Sequence, residues 1–198
     1  MLRPAQKPLL LLILFFFFAI FPTRLAAAEN FSTSYNVTYA TSTQGQTTVT
    51  QNVVIENLTS QYYVSQYKFT IGSSAPTKIK AWDQSGALTP TVKKTEEETV
   101  ITLKFKARVV GKGNKLSFGV SYVFPGLAAK NGLLWELNLL KLEGLKDIQS
   151  YTLTVVVPQS FGPLLYSSPP PLSKEISGGK HRVTYNKSRL LEGAPRLA

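Results

Sequence analysis

From residue 30 onward, polar and apolar positions alternate with a period of two. Phe31, Thr33, Tyr35, Val37 and Tyr39 are interleaved with Asn30, Ser32, Ser34, Asn36 and Thr38. Successive side chains of a strand point to opposite faces, so this pattern predicts a strand with one buried and one wet face. The same logic predicts strands over 47–55 (rich in Thr and Val), 62–71 (Tyr63, Tyr67, Phe69 and Ile71 on one face) and 77–82. Further strands are predicted over 99–105, with Ile101, Leu103 and Phe105 inward, and over 116–122, where Leu116, Phe118, Val120 and Tyr122 alternate with Ser117, Gly119 and Ser121. Leu133, Trp135, Leu137 and Leu139, then Tyr151, Leu153, Val155 and Val157, continue the series.

Turn chemistry separates these runs. Gln44-Gly45, the segment 57–60, the loop 72–76, Asp83-Gln84-Ser85-Gly86, Gly111-Lys112-Gly113-Asn114 and Pro125-Gly126 each interrupt the alternation with residues that favour reversals. No apolar stripe of helical period is long enough for a core helix; 127–131 and 142–145 are each expected to make one helical turn. Eight or nine short strands at regular spacing close most simply as an antiparallel β-sandwich, immunoglobulin-like or related. The expected fold class is all-β.

After Pro158 the character changes. Ser160-Phe161-Gly162-Pro163 and Pro169-Pro170-Pro171 form a stiff, extended stretch. One more alternating run, 182–185, suits an edge strand, and 188–198 has no period. The expected organisation is a β-sandwich domain over 29–158, followed by a proline-rich connection and irregular tail over 159–198.

The N-terminus sets the compartment. Arg3 and Lys7 precede an apolar run from Leu9 to Phe21, and Ala26-Ala27-Ala28 supplies the small residues of a cleavage site. That order is the pattern of a secretory signal, so 1–28 reads as a signal helix cleaved at Ala26–Ala28. A spanning helix needs about 20 apolar residues; this run has 13. Arg24 keeps open the alternative of an uncleaved anchor, the one route by which the sequence reaches a membrane. The chain is therefore expected outside the cytoplasm, secreted or held at the cell envelope. Four Asn-x-Ser/Thr sites, at Asn30, Asn36, Asn57 and Asn186, match the glycosylation acceptor pattern, which carries meaning only in a host that reads it.

Composition narrows the chemistry. The sequence has no cysteine, so an exported chain of this size is held by packing, without disulfides. It also lacks a thiol nucleophile, a thiolate metal site and a lipid-bearing cysteine. His181 is the single histidine; it lies beside Gly178-Gly179 with no nucleophile elbow before it, which speaks against a serine hydrolase and against zinc. Glu96, Glu97 and Glu98 are consecutive, and Glu56 and Glu136 alternate with apolar neighbours, so no carboxylate pair is marked as buried. The reading is a non-enzyme without cofactor or metal.

The net charge is +11, and removing Arg3, Lys7 and Arg24 with the signal leaves 11 less 3, or +8. A basic exported domain is drawn to anionic envelope or glycan surfaces; nothing resembles a nucleic-acid reader. If Ile79 and Ala81 face inward, Trp82 faces out with Lys78 and Lys80, and a ring beside cations can stack a sugar or hold an anionic glycan. The plainer alternative is that Trp82 packs at the sandwich edge under lysine stems.

The order of several segments carries a resemblance: Tyr35-Asn36-Val37-Thr38-Tyr39, the run 48–60, Tyr67-Lys68-Phe69-Thr70-Ile71-Gly72, Val109-Val110-Gly111-Lys112-Gly113, the run 150–155 and Val157-Pro158-Gln159-Ser160-Phe161-Gly162-Pro163. Together they resemble the N-terminal β-sandwich region of exported bacterial transglutaminase-like proteins and, more distantly, the lumenal β-domains of ribophorin. The resemblance spans about residues 30 to 170. It implies an accessory module that presents or positions a papain-like Cys-His-Asp core, or binds an envelope component. Because this chain has no cysteine, no catalytic residue carries over. A stand-alone adhesin or carbohydrate-binding module is the alternative.

Overall fold

The computed structural model describes residues 30–198. The expected signal segment, with Ala26 and Ala28, lies outside the described residues. The chain runs β1 (Phe31–Thr41), β2 (Thr47–Asn57), β3 (Gln66–Ile71), β4 (Thr77–Asp83), β5 (Gly86–Leu88), β6 (Thr91–Lys94), β7 (Thr99–Lys104) and β8 (Lys115–Phe124). It continues through β9 (Ala128–Asn131), β10 (Leu134–Asn138), β11 (Ser150–Pro158), β12 (Ser167–Ser168), β13 (Ser173–Ser177), β14 (Lys180–Asn186), a short helix α1 (Lys187–Glu192) and β15 (Arg196–Leu197). The fold is an all-β sandwich, as the alternation predicts.

An eight-stranded sheet, in the order β13-β14-β11-β1-β2-β8-β4-β5, forms one layer. Against its inner face lie a three-stranded sheet, β3-β7-β6, and a four-stranded sheet, β12-β15-β10-β9. Thr and Val make up most of the central strand β2, and β-branched side chains pack well on a pleated surface. Inward positions are sealed: Val37, Val49, Val53, Val120 and Val155 are essentially inaccessible, each contributing roughly 1.5–3 kcal/mol by leaving water. Phe118 of β8 contacts Tyr67 and Phe69 of β3 and Phe105 beyond β7, with ring centroids 5.2, 6.1 and 4.7 Å away. These contacts join the large sheet to the three-stranded one.

The outer face of the large sheet is polar. Thr50 and Ser121 form a cross-strand hydroxyl pair at 3.3 Å, and Thr154 and Thr184 another at 3.4 Å. Asn57, one of the sequons, is buried, and its Nδ2 donates to the Tyr62 carbonyl at 2.6 Å. It is closed to modification in the folded chain.

Several expectations are corrected. The large sheet is mixed, because β1 and β11 run parallel in register from Ser34↔Ser150 to Ala40↔Val156; a single strand's pattern carries no direction. Strands number fifteen among the described residues, since two- to four-residue strands such as β5, β9 and β12 are too short to show a period. Residues 127–131, read as a helical turn, instead contribute β9. The run 182–185 is no edge strand: β14 lies between β11 and β13, and Val183 and Tyr185 are in the core. The tail adds α1, capped where the Asn186 side chain accepts from the Arg189 N–H at 3.1 Å, and β15, which pairs with β10. Proline density hid this, because the pairing partners lie far upstream in sequence.

Candidate docking surface

Leu133 and Leu134 form the tip of the β9–β10 hairpin, turned by Gly132 in the left-handed region at φ 61°. Alternation places Leu133 inward with Leu137 and Leu139. The structure places Leu137 and Leu139 in the core and leaves Leu133 93% exposed, because the strand begins only at Leu134 and the pleat does not extend into the turn. Leu134 is also exposed.

The end of β15 lies beside this hairpin. The Ala198 carbonyl accepts from the Leu165 and Tyr166 N–H groups at 2.8 and 2.9 Å, and its N–H donates to the Tyr166 carbonyl at 3.1 Å. Register places Leu197 between Leu137 of β10 and Ser167 of β12. Leu133, Leu134, Leu165 and Tyr166 are therefore gathered at one end of the four-stranded sheet, all of them exposed. Single exposed apolar residues are ordinary, whereas four at the same end of one sheet suit a contact surface.

Beneath the group, Trp135 stacks on Phe161 with centroids 4.0 Å apart and planes 4° from parallel. Gly45 of the β1–β2 turn approaches the same indole so closely that a Cβ there would meet it at 2.7 Å. Trp135 is thus packed against both Phe161 and the Gly45 turn. The depression between Leu134, Phe161 and Leu164 measures only about 30 Å³, far below the roughly 300–1,000 Å³ of small-molecule sites. His181 of β14 borders this depression among apolar side chains.

The surface proposed from sequence lies elsewhere, on β4. Lys80 and Trp82 share the outer face of the large sheet, between the inward Ala81 and Asp83. Lys78 is exposed, has φ 52°, and sits where the β4–β8 register shifts between Thr77 and Lys80, so it interrupts the alternation. Trp82 is half-buried, with its indole lying over Gly119 of β8, its register partner. A Cβ at Gly119 would stand 2.2 Å from the ring.

That contact carries a prediction. Gly119→Ala should destabilise the fold by about 2 kcal/mol, the range for overpacking. Adding Trp82→Ala should recover part of the loss, with a coupling of about 1 kcal/mol. Urea unfolding of both single variants and the double variant measures this, and strictly additive losses would show that the two residues do not press on one another.

No protein-family model matches the chain, and no curated protein matches it. Solved structures share its fold. A candidate protease from Parabacteroides distasonis ATCC 8503 superposes with a TM-score of 0.50 at 13% identity, over 86% of this chain and 40% of that one. A two-domain M1 zinc metallopeptidase mutant bound to L-tryptophan gives 0.50 at 10% identity, over 86% and 43%. A mutant M1 zinc metallopeptidase from Deinococcus radiodurans gives 0.50 at 11%, over 86% and 42%. The chain spans about two-fifths of the length of these proteins. At such identity the likeness is one of fold alone.

Proposed function

We propose that this chain is a non-catalytic β-sandwich module working outside the cytoplasm, where it holds a catalytic domain that acts on polypeptides. The observation that carries the reading is the exposed group Leu133, Leu134, Leu165 and Tyr166 around the backbone of Ala198. Apolar contact of this kind suits a lasting interface between domains. The resemblance to transglutaminase-like proteins supplies one identity for the catalytic partner, and the peptidases that share the fold supply another; both act on polypeptide. The basic charge and the secretory pattern of residues 1–28 support the location.

Because the chain has no cysteine, introduced thiols report single positions. Leu133→Cys and Leu165→Cys, carrying a thiol-reactive cross-linker in cells that make the full chain, should each join the same peptidase- or transglutaminase-like domain. Lys112→Cys, in the loop before β8, should not. Adducts identical at all three positions, or none at 133 and 165, would remove the proposal.

A second reading rests on Lys80 and Trp82 sharing the polar outer face of the large sheet. There the module binds a glycan through Trp82. Ligand quenching of tryptophan fluorescence should then disappear in Trp82→Ala, and undiminished binding by that variant would rule the platform out.

A further inference from the structure

Among the described residues, the two smaller sheets share no strand pairing. Between β3 and the segment 139–148 a cleft opens onto the inner face of the large sheet, with a cavity of about 650 Å³. This falls within the size range of binding sites. Tyr35, Gln51, Tyr67 and Tyr151 line it.

Gln51 is out of pattern. It occupies an inward position of β2, between the fully buried Val49 and Val53, and in register with Val37 and Val120. A carboxamide at such a position costs free energy unless its polar atoms find partners. Its Nε2 donates to the Tyr122 hydroxyl at 3.0 Å, and its carbonyl oxygen retains acceptor capacity. Around it, the Tyr35 and Tyr67 hydroxyls are hydrogen-bonded to one another, and Tyr151 stacks on Tyr35 at 5.3 Å. The cleft is therefore lined by neutral groups that can both donate and accept. Its rim carries both signs, Lys68 and Lys141 with Glu97, Glu98 and Glu143.

One wall of the cleft is an unpaired strand edge. β3 ends its sheet and pairs only with β7 among the described residues. The six sheet-terminal strands are β13, β5, β12, β9, β3 and β6, and β3, with 6 residues, is the longest of them. Edges are commonly guarded by charge: β6 has Lys93 and Lys94 and β13 has Lys174 and Glu175, whereas β3 sets Lys68 among Tyr67, Phe69 and Ile71. A free strand edge presents N–H and C=O groups at the spacing of another extended backbone. Only polypeptide matches that repeat.

We propose that this cleft binds an extended segment of a partner polypeptide, which adds to the free edge of β3 and seats one polar side chain over Tyr35, Gln51 and Tyr67. The strand edge supplies backbone affinity, and the tyrosine–glutamine floor selects a side chain that can exchange hydrogen bonds. The mixed-sign rim fits charged side chains flanking the seated residue better than a purely anionic or cationic ligand. This surface is separate from the leucine-lined end of the four-stranded sheet and stands independently of the domain-holding role.

The test is a titration of the full chain, labelled for amide NMR, with an end-blocked random hexapeptide mixture lacking cysteine. Saturable shifts and slowed exchange should appear at the amides of residues 66–71 and at the Gln51 side-chain amide. Gln51→Leu should weaken the binding about tenfold, the equivalent of one lost hydrogen bond. Tyr67→Phe, a smaller change that preserves packing, should weaken it in the same direction if Gln51→Leu perturbs the fold. Absence of saturable change along β3 at millimolar peptide would overturn the proposal. So would shifts confined to the outer face of the large sheet, or unchanged affinity in both variants.

Discussion

Asp83→Ala should lower the unfolding free energy by about 3 kcal/mol, a large share of the stability of a domain. Asp83 ends β4 in the large sheet, and only 5% of its surface is exposed. One carboxylate oxygen accepts from the Ser85 N–H at 2.7 Å and so shapes the β4–β5 turn. The other accepts from the Lys106 and Ala107 N–H groups at 3.0 and 3.2 Å, just beyond β7 of the three-stranded sheet. One side chain thus satisfies three backbone donors and ties the two layers together. Removing it leaves the buried Ala107 N–H without its acceptor, at about 1–3 kcal/mol for a buried group left unpaired, while the donors of the exposed Ser85 and Lys106 lose a fixed partner at smaller cost. Asp83→Asn keeps the shape, but its amide nitrogen cannot accept, so about half the loss should persist. Urea unfolding gives the magnitude, and amide exchange should show Lys106 and Ala107 losing protection first. An Asp83→Ala midpoint within about 1 kcal/mol of the parent would mean that solvent or a neighbour replaces the carboxylate.

Asp83 also shows what sequence can and cannot disclose. The Asp83-Gln84-Ser85-Gly86 turn was legible, because a side-chain oxygen bonding the backbone two residues on is local chemistry. The bonds to Lys106 and Ala107 were not, since they join segments 23 and 24 residues apart that only the packing of two sheets brings together. The same division runs through the fold. Period-two patterning places β1, β8 and β11 with their inward faces and locates β2. It is silent on which strands become neighbours, and so misses the parallel β1–β11 pair and the interior position of β14. At the docking surface, alternation carried through Gly132 into a turn predicts Leu133 as core, where the structure exposes it. Leu165 and Tyr166 had no period at all. Gln51 was the one visible signal of the cleft: an amide at an inward position is a local breach of the pattern, and such breaches concentrate at functional sites.

The fold should fail in alkali, beginning above pH 10, through the tyrosines that line its interior. Burial pushes the Tyr39 hydroxyl up to about 12 from its ordinary 10.0. Burial likewise raises Tyr122 and Tyr151, each further raised by neighbouring tyrosines. Tyr35 is raised by burial and by Tyr67, and Tyr185 by burial against a lowering hydrogen bond from Ser167. The sign follows from proton counting. Below pH 10 both folded and unfolded chains keep these protons and stability is unaffected. Between 10 and 12 the unfolded chain releases the Tyr39 proton while the folded chain retains it, so the unfolded state gains and stability falls. Two units correspond to about 3 kcal/mol for Tyr39 alone, and the other buried hydroxyls add to it in the same direction. That sum is of the order of the whole stability of a domain, so tyrosinate absorbance should rise in one cooperative step that coincides with loss of β-sheet circular dichroism. Tyr39→Phe should move the step to higher pH, because it removes an ionisation that only the unfolded chain can accommodate. A gradual titration near pH 10 with the sheet signal intact would mean that the tyrosine cluster is open to water. In that case the part of the inner face around Tyr39 and Tyr122 would not be closed to water.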